Sequence, residues 1–353
     1  MKNTLILLGS LIVCCCGTSQ KPSTTDQNTE STLESKNETA TKYAKTITAQ
    51  ELKTYLYTFA GDDFEGRDTG EPGQKKAAEY LKEQYKKMGI PSPLGGDDYF
   101  QEIPKSYFRG DIKASENVLA YIEGTEKPEE IVVLSAHYDH VGVDLDGNIY
   151  NGADDDGSGT VSILEIAQAF MQAKKDGKGP KRSILFLHVT GEEKGLYGSK
   201  FYTENPVFPL KNTVTDLNID MIGRIDKAHD TDDKNNYVYL IGSDRLSTEL
   251  HNISEEVNKK YIQLDLDYTY NAKNDPNRFY FRSDHYNFAK HNIPIIFYFN
   301  GVHEDYHQPT DTPDKINYDL LTKRAQLVFY TAWEVANRSE RLIVDGADKK
   351  EGE

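Results

Sequence analysis

Cysteine is almost missing from this chain. Its three copies are consecutive, Cys14 to Cys16, and none follows them. The folded part therefore depends on neither disulfides nor thiolate metal ligands. Positive charge is also scarce. Against 57 acidic residues stand 41 basic ones, a formal charge of −16, which disfavours nucleic acids and anionic surfaces as partners. The apolar run ahead of the cysteines, "LILLGSLIV", is too short for a spanning helix. Neither an internal repeat nor a break that demands a second domain is visible. What is present, 353 residues with 37% hydrophobic content, is enough for a sizeable core.

Lys2, the short apolar run and then cysteine read as an export signal over residues 1–16, and the ending "LIVCCC" resembles a bacterial lipoprotein signal. The chain is thus expected to be exported and lipid-anchored to a bacterial membrane, periplasmic or at the cell surface, or otherwise secreted. That anchor would be its sole membrane contact. Residues 17–42 are polar and read as a disordered tether, 43–340 as a single domain, and 341–353 as a polar tail. Order is expected near Thr48, where "TAQE" offers Thr48 and Glu51 as a capping box. A helix over "QKKAAEYLKEQYKKM" should end on Gly89. Beyond it, short β-branched runs such as "IVVLSA", "SILFLHV" and "IPIIFYF" alternate with amphipathic helical segments. This alternation predicts an α/β three-layer sandwich, a mostly parallel sheet flanked by helices.

Several of those strands run into the same chemistry. "IVVLSA" leads to "HYDH" (137–140) and then "NGADDDGSG" (151–159); "SILFLHVT" leads to "GEE" (191–193); "VTDLNIDMIG" carries Asp220; "IPIIFYFNG" leads to "GVHEDYHQPTDTP" (301–313). Ligands of open α/β sheets bind outside the carboxyl ends of the strands, so these residues have a reason to converge. Carboxylates crowded together need a compensating cation. Histidine with carboxylate favours Zn2+, with Mn2+ or Co2+ as substitutes, over Ca2+ or Mg2+. Two metals sharing a carboxylate would hold a water between them and stabilise both oxygens of a hydrolytic transition state. Glu192, beside Glu193, suits the base that deprotonates that water.

Taken together, "HYDH", "NGADDDGSG", "GEEKGLYGS", "NIDMIG", "FRSDH" and "HQPTDT" resemble metallopeptidase family 28, the co-catalytic di-zinc aminopeptidases, with a zinc-exopeptidase-like fold over roughly residues 48–337. The resemblance implies two Zn2+ ions. His137 and Asp220 would hold one, Glu193 and His307 the other, and Asp154 would bridge them. It further implies Glu192 as the base, Asp139 as the carboxylate that orients the His137 ring, and Tyr280 as a donor to the developing oxyanion. Asp155 falls where the family often has a strained peptide bond. Peptides with a free N-terminus are the implied substrates, and a monomer the expected state. His140, Asp156, His285 and His303 are left as structural. Two rivals are a single-zinc glutaminyl-peptide cyclotransferase of the same superfamily and a non-catalytic surface binding lipoprotein.

The letters H-E-x-x-H at 303–307 also spell a zinc-protease helix. Gly301 before them and Pro309 after them leave room for about one helical turn. His307 is therefore kept as a ligand, His303 and Glu304 are set aside, and Asp311 is a candidate partner behind the ligands.

Overall fold

The computed structural model describes Met1, residues 38–231 and residues 233–346. Apart from Met1, the expected signal lies outside the described residues, as does most of the tether. Residues 40–44, the end of that expected tether included, are helical. Their Tyr43 is buried and packs on the Trp333 ring at 5.7 Å. At the other end the first tail residues also pack: Leu342 is buried, and the Gly346 N–H donates to Leu246 O.

Eight strands form the main sheet: β1 (Phe100–Ile103), β2 (Ser115–Ile122), β3 (Lys127–His137), β6 (Arg182–Val189), β7 (Thr213–Ile219), β8 (Tyr237–Ile241), β9 (Asp265–Asp267) and β10 (Ile295–Phe299). A separate hairpin pairs β4 (Gly142–Val143) with β5 (Ile149–Tyr150). The sheet order is β1-β2-β6-β3-β7-β10-β8-β9. Its four central strands, β6, β3, β7 and β10, are mutually parallel. Every residue of β6, β7 and β10 is buried, as strands covered on both faces must be.

The side-chain period of two divides the core. Val132, Leu134 and Ala136 face one layer with Ile184 and Phe186. That layer contains α1 (Ala49–Phe59), α2 (Pro72–Met88), α3 (Gly159–Lys175), α5 (Thr248–Val257) and α7 (Tyr318–Asn337). Ile131 and Val133 face the opposite layer with Leu185 and Leu187, toward α4 (Tyr197–Glu204) and α6 (His285–Ala289).

The local signals largely act as their chemistry requires. Thr48 caps α1 by accepting from Glu51 N at 3.2 Å. The reciprocal half of the box is supplied from elsewhere: the Thr48 N–H donates to buried Glu165 Oε2 at 3.3 Å. Gly89 ends α2 at φ 76°, where a side chain would be strained. The consequence for function is positional. Four neighbouring parallel strands end on one edge, so the residues just beyond β6, β3, β7 and β10 are brought together.

Candidate metal centre

His137 is the last residue of β3. Its Nδ1 lies 3.0 Å from the Asp139 carbonyl oxygen, which makes Nδ1–H the donor and leaves the Nε2 lone pair free. Nε2 faces Asp155 Oδ1 at 3.1 Å and Asp220 Oδ1 at 3.6 Å. Asp220, one step beyond β7, is held by Ser283 Oγ donating to its other oxygen at 2.6 Å. The second oxygen of Asp155 faces a different group. Oδ2 is 3.0 Å from His307 Nε2 and 3.7 Å from His140 Nδ1. Glu193 Oε1 is 3.0 Å from that same His307 nitrogen and 2.9 Å from His140 Nδ1.

Asp155 Oδ2, Glu193 Oε1, His307 Nε2 and His140 Nδ1 are all buried atoms without a hydrogen bond. A polar atom is not left in that state without cost. Ligands at the usual ~2.0–2.1 Å zinc bond lengths stand about 3.3 Å apart in a tetrahedron. The spacings fit a cation at each group, His137–Asp155–Asp220 and His140–Asp155–Glu193–His307. The electrostatics agree. Burial alone would lower both imidazoles, yet the carboxylates raise His137 well above its ordinary value and His307 to about 10. The carboxylates thus demand positive charge, the demand a divalent ion meets.

The bridging position differs from the sequence expectation by one residue. Asp154 faces away from both groups: its Oδ1 accepts from Gly223 N at 2.6 Å, and its Oδ2 lies 3.1 Å from His303 Nε2. Three consecutive aspartates made the register ambiguous. The chain decides it by an irregular turn, Ala153–Ser158, entered through Gly152 at φ 53° and containing a cis Asp155–Asp156 peptide. Asp156 turns back to cap α3, its Oδ1 accepting from Gly159 N at 2.9 Å and from Met221 N at 3.1 Å.

Asp139 also differs from expectation in which of its atoms does the work. Its main-chain carbonyl meets the His137 ring, while the carboxylate stands 3.8 Å away. That carboxylate instead accepts from Thr69 Oγ1 at 2.8 Å and from Glu192 N at 3.2 Å. Burial pushes it up to about 6. Asp139 thereby positions Glu192, which belongs to neither donor group among the described residues. The Glu192 carboxyl lines a cleft of about 380 Å3 together with His137, Asp155, Asp220, Met221, Phe279, Arg282, Phe297, Phe299, Val302 and Tyr306. Burial, reinforced by Asp220, Glu193 and Asp284, raises it well above the ordinary carboxylate range.

Tyr280 is not in this cleft wall. It sits in the turn Phe279–Phe281, 2% exposed, with its ring stacked beneath the Arg245 guanidinium at 3.7 Å. The tyrosine that does line the cleft is Tyr306, stacked on the His307 ring at 4.0 Å. His285, left as structural, donates from Nε2 to the Tyr280 carbonyl at 2.8 Å, and burial lowers it to about 3, so it is neutral.

Two further residues support the cluster. Arg67, fully buried, reaches the carbonyls of Tyr138 at 2.9 Å, Asn151 at 2.6 Å and Gly152 at 2.9 Å. It clamps the loop between His137 and Asp155 from both ends. The only sequence signal was its place in "FEGRDTGEPG". Asp311 accepts from the main-chain N–H groups of Asp154 (2.9 Å) and Asp155 (3.2 Å), fixing the turn from the far side of the cluster.

No helix forms over residues 301–312. His307 has φ 52° and points to Asp155 and Glu193, whereas His303 points to Asp154. Glu304 is exposed, 3.5 Å from Arg224. The H-E-x-x-H letters do not form a common site. His303→Ala should keep its metal content, because it contributes to neither donor group. It should lose stability by roughly 1–3 kcal/mol, because buried Asp154 loses a partner. Thermal unfolding alongside metal analysis checks both, and loss of metal would return His303 to the site.

The sequence model of "Peptidase family M28" matches residues 117–332, more than half of the chain. The chain belongs to peptidase family M28. It stands therefore among the peptide hydrolases. The M28 chain is 27% identical over 271 residues to a "Probable leucine aminopeptidase" of Arthroderma otae, covering 67% of this chain and 71% of that protein. It is 35% identical over 136 residues to a "Vacuolar membrane protease" of Tuber melanosporum, covering 36% of this chain and 13% of that one. Only a small part of the latter's length is therefore spanned. Among solved structures, the zinc aminopeptidase of Bacillus subtilis superposes with a TM-score of 0.62 at 17% identity, over 84% of the M28 chain and 97% of its own. That likeness is one of fold, the helix-flanked and mostly parallel sheet expected from sequence.

Proposed function

We propose that this M28 peptidase is a two-zinc aminopeptidase that removes N-terminal residues from peptides. The observation that carries the reading is Asp155, whose two carboxylate oxygens face two separate donor groups, Oδ1 toward His137 and Oδ2 toward His307. One ion would be held by His137, Asp155 and Asp220, the other by Asp155, Glu193 and His307. Bound there, the pair supplies Lewis acidity to the scissile carbonyl and lowers the pKa of the attacking water.

The remaining work belongs to the chain. Glu192 takes a proton from the water and returns it to the leaving amine. Asp139 holds the Glu192 main chain and, through its carbonyl, the His137 ring. Phe279, Phe297, Phe299 and Val302 present an apolar wall in the cleft, suited to an apolar side chain of the substrate. Support for an exopeptidase also comes from the leucine aminopeptidase relative. Export and a lipid anchor remain part of the proposal, resting on "LIVCCC". Assays of metal-loaded protein should show cleavage of apolar aminoacyl chromogenic substrates and none of their N-blocked counterparts. Cleavage of blocked peptides would sink the aminopeptidase reading, and ammonia release from an N-terminal Gln peptide without hydrolysis would favour the cyclotransferase.

A further inference from the structure

His140 is not among the residues given a role above, yet it stands inside the second donor group. Its ring is fully buried, and neither ring nitrogen has a hydrogen bond. Nδ1 is 2.9 Å from Glu193 Oε1 and 3.7 Å from Asp155 Oδ2, and it joins His307 Nε2 in a group whose four donor atoms all lie within 4.8 Å of one another. The placement is built rather than incidental. The His140 N–H donates to Arg67 O at 3.1 Å, fixing the backbone. Gly152 supplies the room: at φ +53°, a Cβ there would come within 2.5 Å of His140 Cγ.

We propose that His140 is a fourth protein ligand, through Nδ1, of the metal held by Asp155, Glu193 and His307. This rests on the two-zinc reading above and makes its two sites unequal. One ion would have two imidazoles and two carboxylates from the protein. The other would have His137, Asp155 and Asp220, three protein ligands, the complement of a catalytic zinc with an open position. The cleft fits this division. His137, Asp155, Asp220 and Glu192 line it, whereas His140 is fully buried.

Two measurements test the assignment without relying on turnover. In a zinc-loaded crystal of the unaltered protein, anomalous diffraction should place one ion about 2.0–2.1 Å from His140 Nδ1. In competition titrations of apoprotein with a zinc chelator, His140→Ala should weaken one of the two sites by about 100-fold or more, beyond most losses of an outer partner, and leave the other unchanged. Circular dichroism of the apo forms checks that the variant folds; the crystal measurement needs no variant. Two bound ions with His140 Nδ1 beyond bonding distance, or two unaltered affinities in a folded His140→Ala, would overturn the assignment while leaving the two-zinc reading intact. Failure of the unaltered protein to bind zinc would overturn both.

Discussion

Glu192→Gln is expected to keep its full metal content and to lose turnover by roughly 10²- to 10⁴-fold, the contribution of a positioned acid-base group. The side chain stands in the cleft with His137, Asp155 and Asp220 but is in neither donor group. An amide of the same shape removes the proton acceptor and little else. Its main chain stays pinned, since the Glu192 N–H donates to Asp139 Oδ1 whatever the side chain carries. Steady-state kinetics on protein whose metal has been counted would decide the point. Turnover near that of the parent would take Glu192 out of its role, and concurrent loss of metal would make it a ligand instead.

The second large effect distinguishes two adjacent aspartates. Asp155→Ala should weaken both ions by about 100-fold or more, since outer-partner losses already cost 10- to 100-fold, and should abolish measurable activity. Asp154→Asn should bind both ions at close to parental affinity, because the Asp154 carboxylate is used by Gly223 N and His303. Its cost should instead appear as a lower unfolding temperature. Metal titration of the two apoproteins is the test. If Asp154→Asn loses both ions while Asp155→Ala keeps them, the bridge belongs to Asp154, as the sequence resemblance implied.

That one-residue slip shows where sequence reading ends. "NGADDDG" states that carboxylates gather at a turn before a helix, but an irregular turn does not have the fixed side-chain period of a helix or strand. Which aspartate faces which way is set by Gly152, by Arg67 pulling on the carbonyls of Asn151 and Gly152, and by Asp311 binding the N–H groups of Asp154 and Asp155. All three constraints come from other parts of the chain or from a local φ that letters do not show. Tyr280 illustrates the same limit. "RFYFR" offers several aromatics in a row, and the turn Phe279–Phe281 sends Tyr280 under Arg245 while Phe279 reaches the cleft. His140 was legible as a histidine near others and no more.

By itself, then, the sequence determined the layered α/β architecture and which segments bring chemistry to one edge. Apolar runs covered on both faces can only be interior strands, and the loops after parallel neighbours must meet. It also determined that "HEDYH" is no zinc helix, because Gly301 and Pro309 leave room for only about one turn. Tertiary structure alone decided the partners within the cluster: Asp155 rather than Asp154 between the donor groups, His303 on Asp154, His140 facing Glu193. Those choices depend on side-chain directions at turns, and directions at turns are fixed by distant contacts rather than by local periodicity.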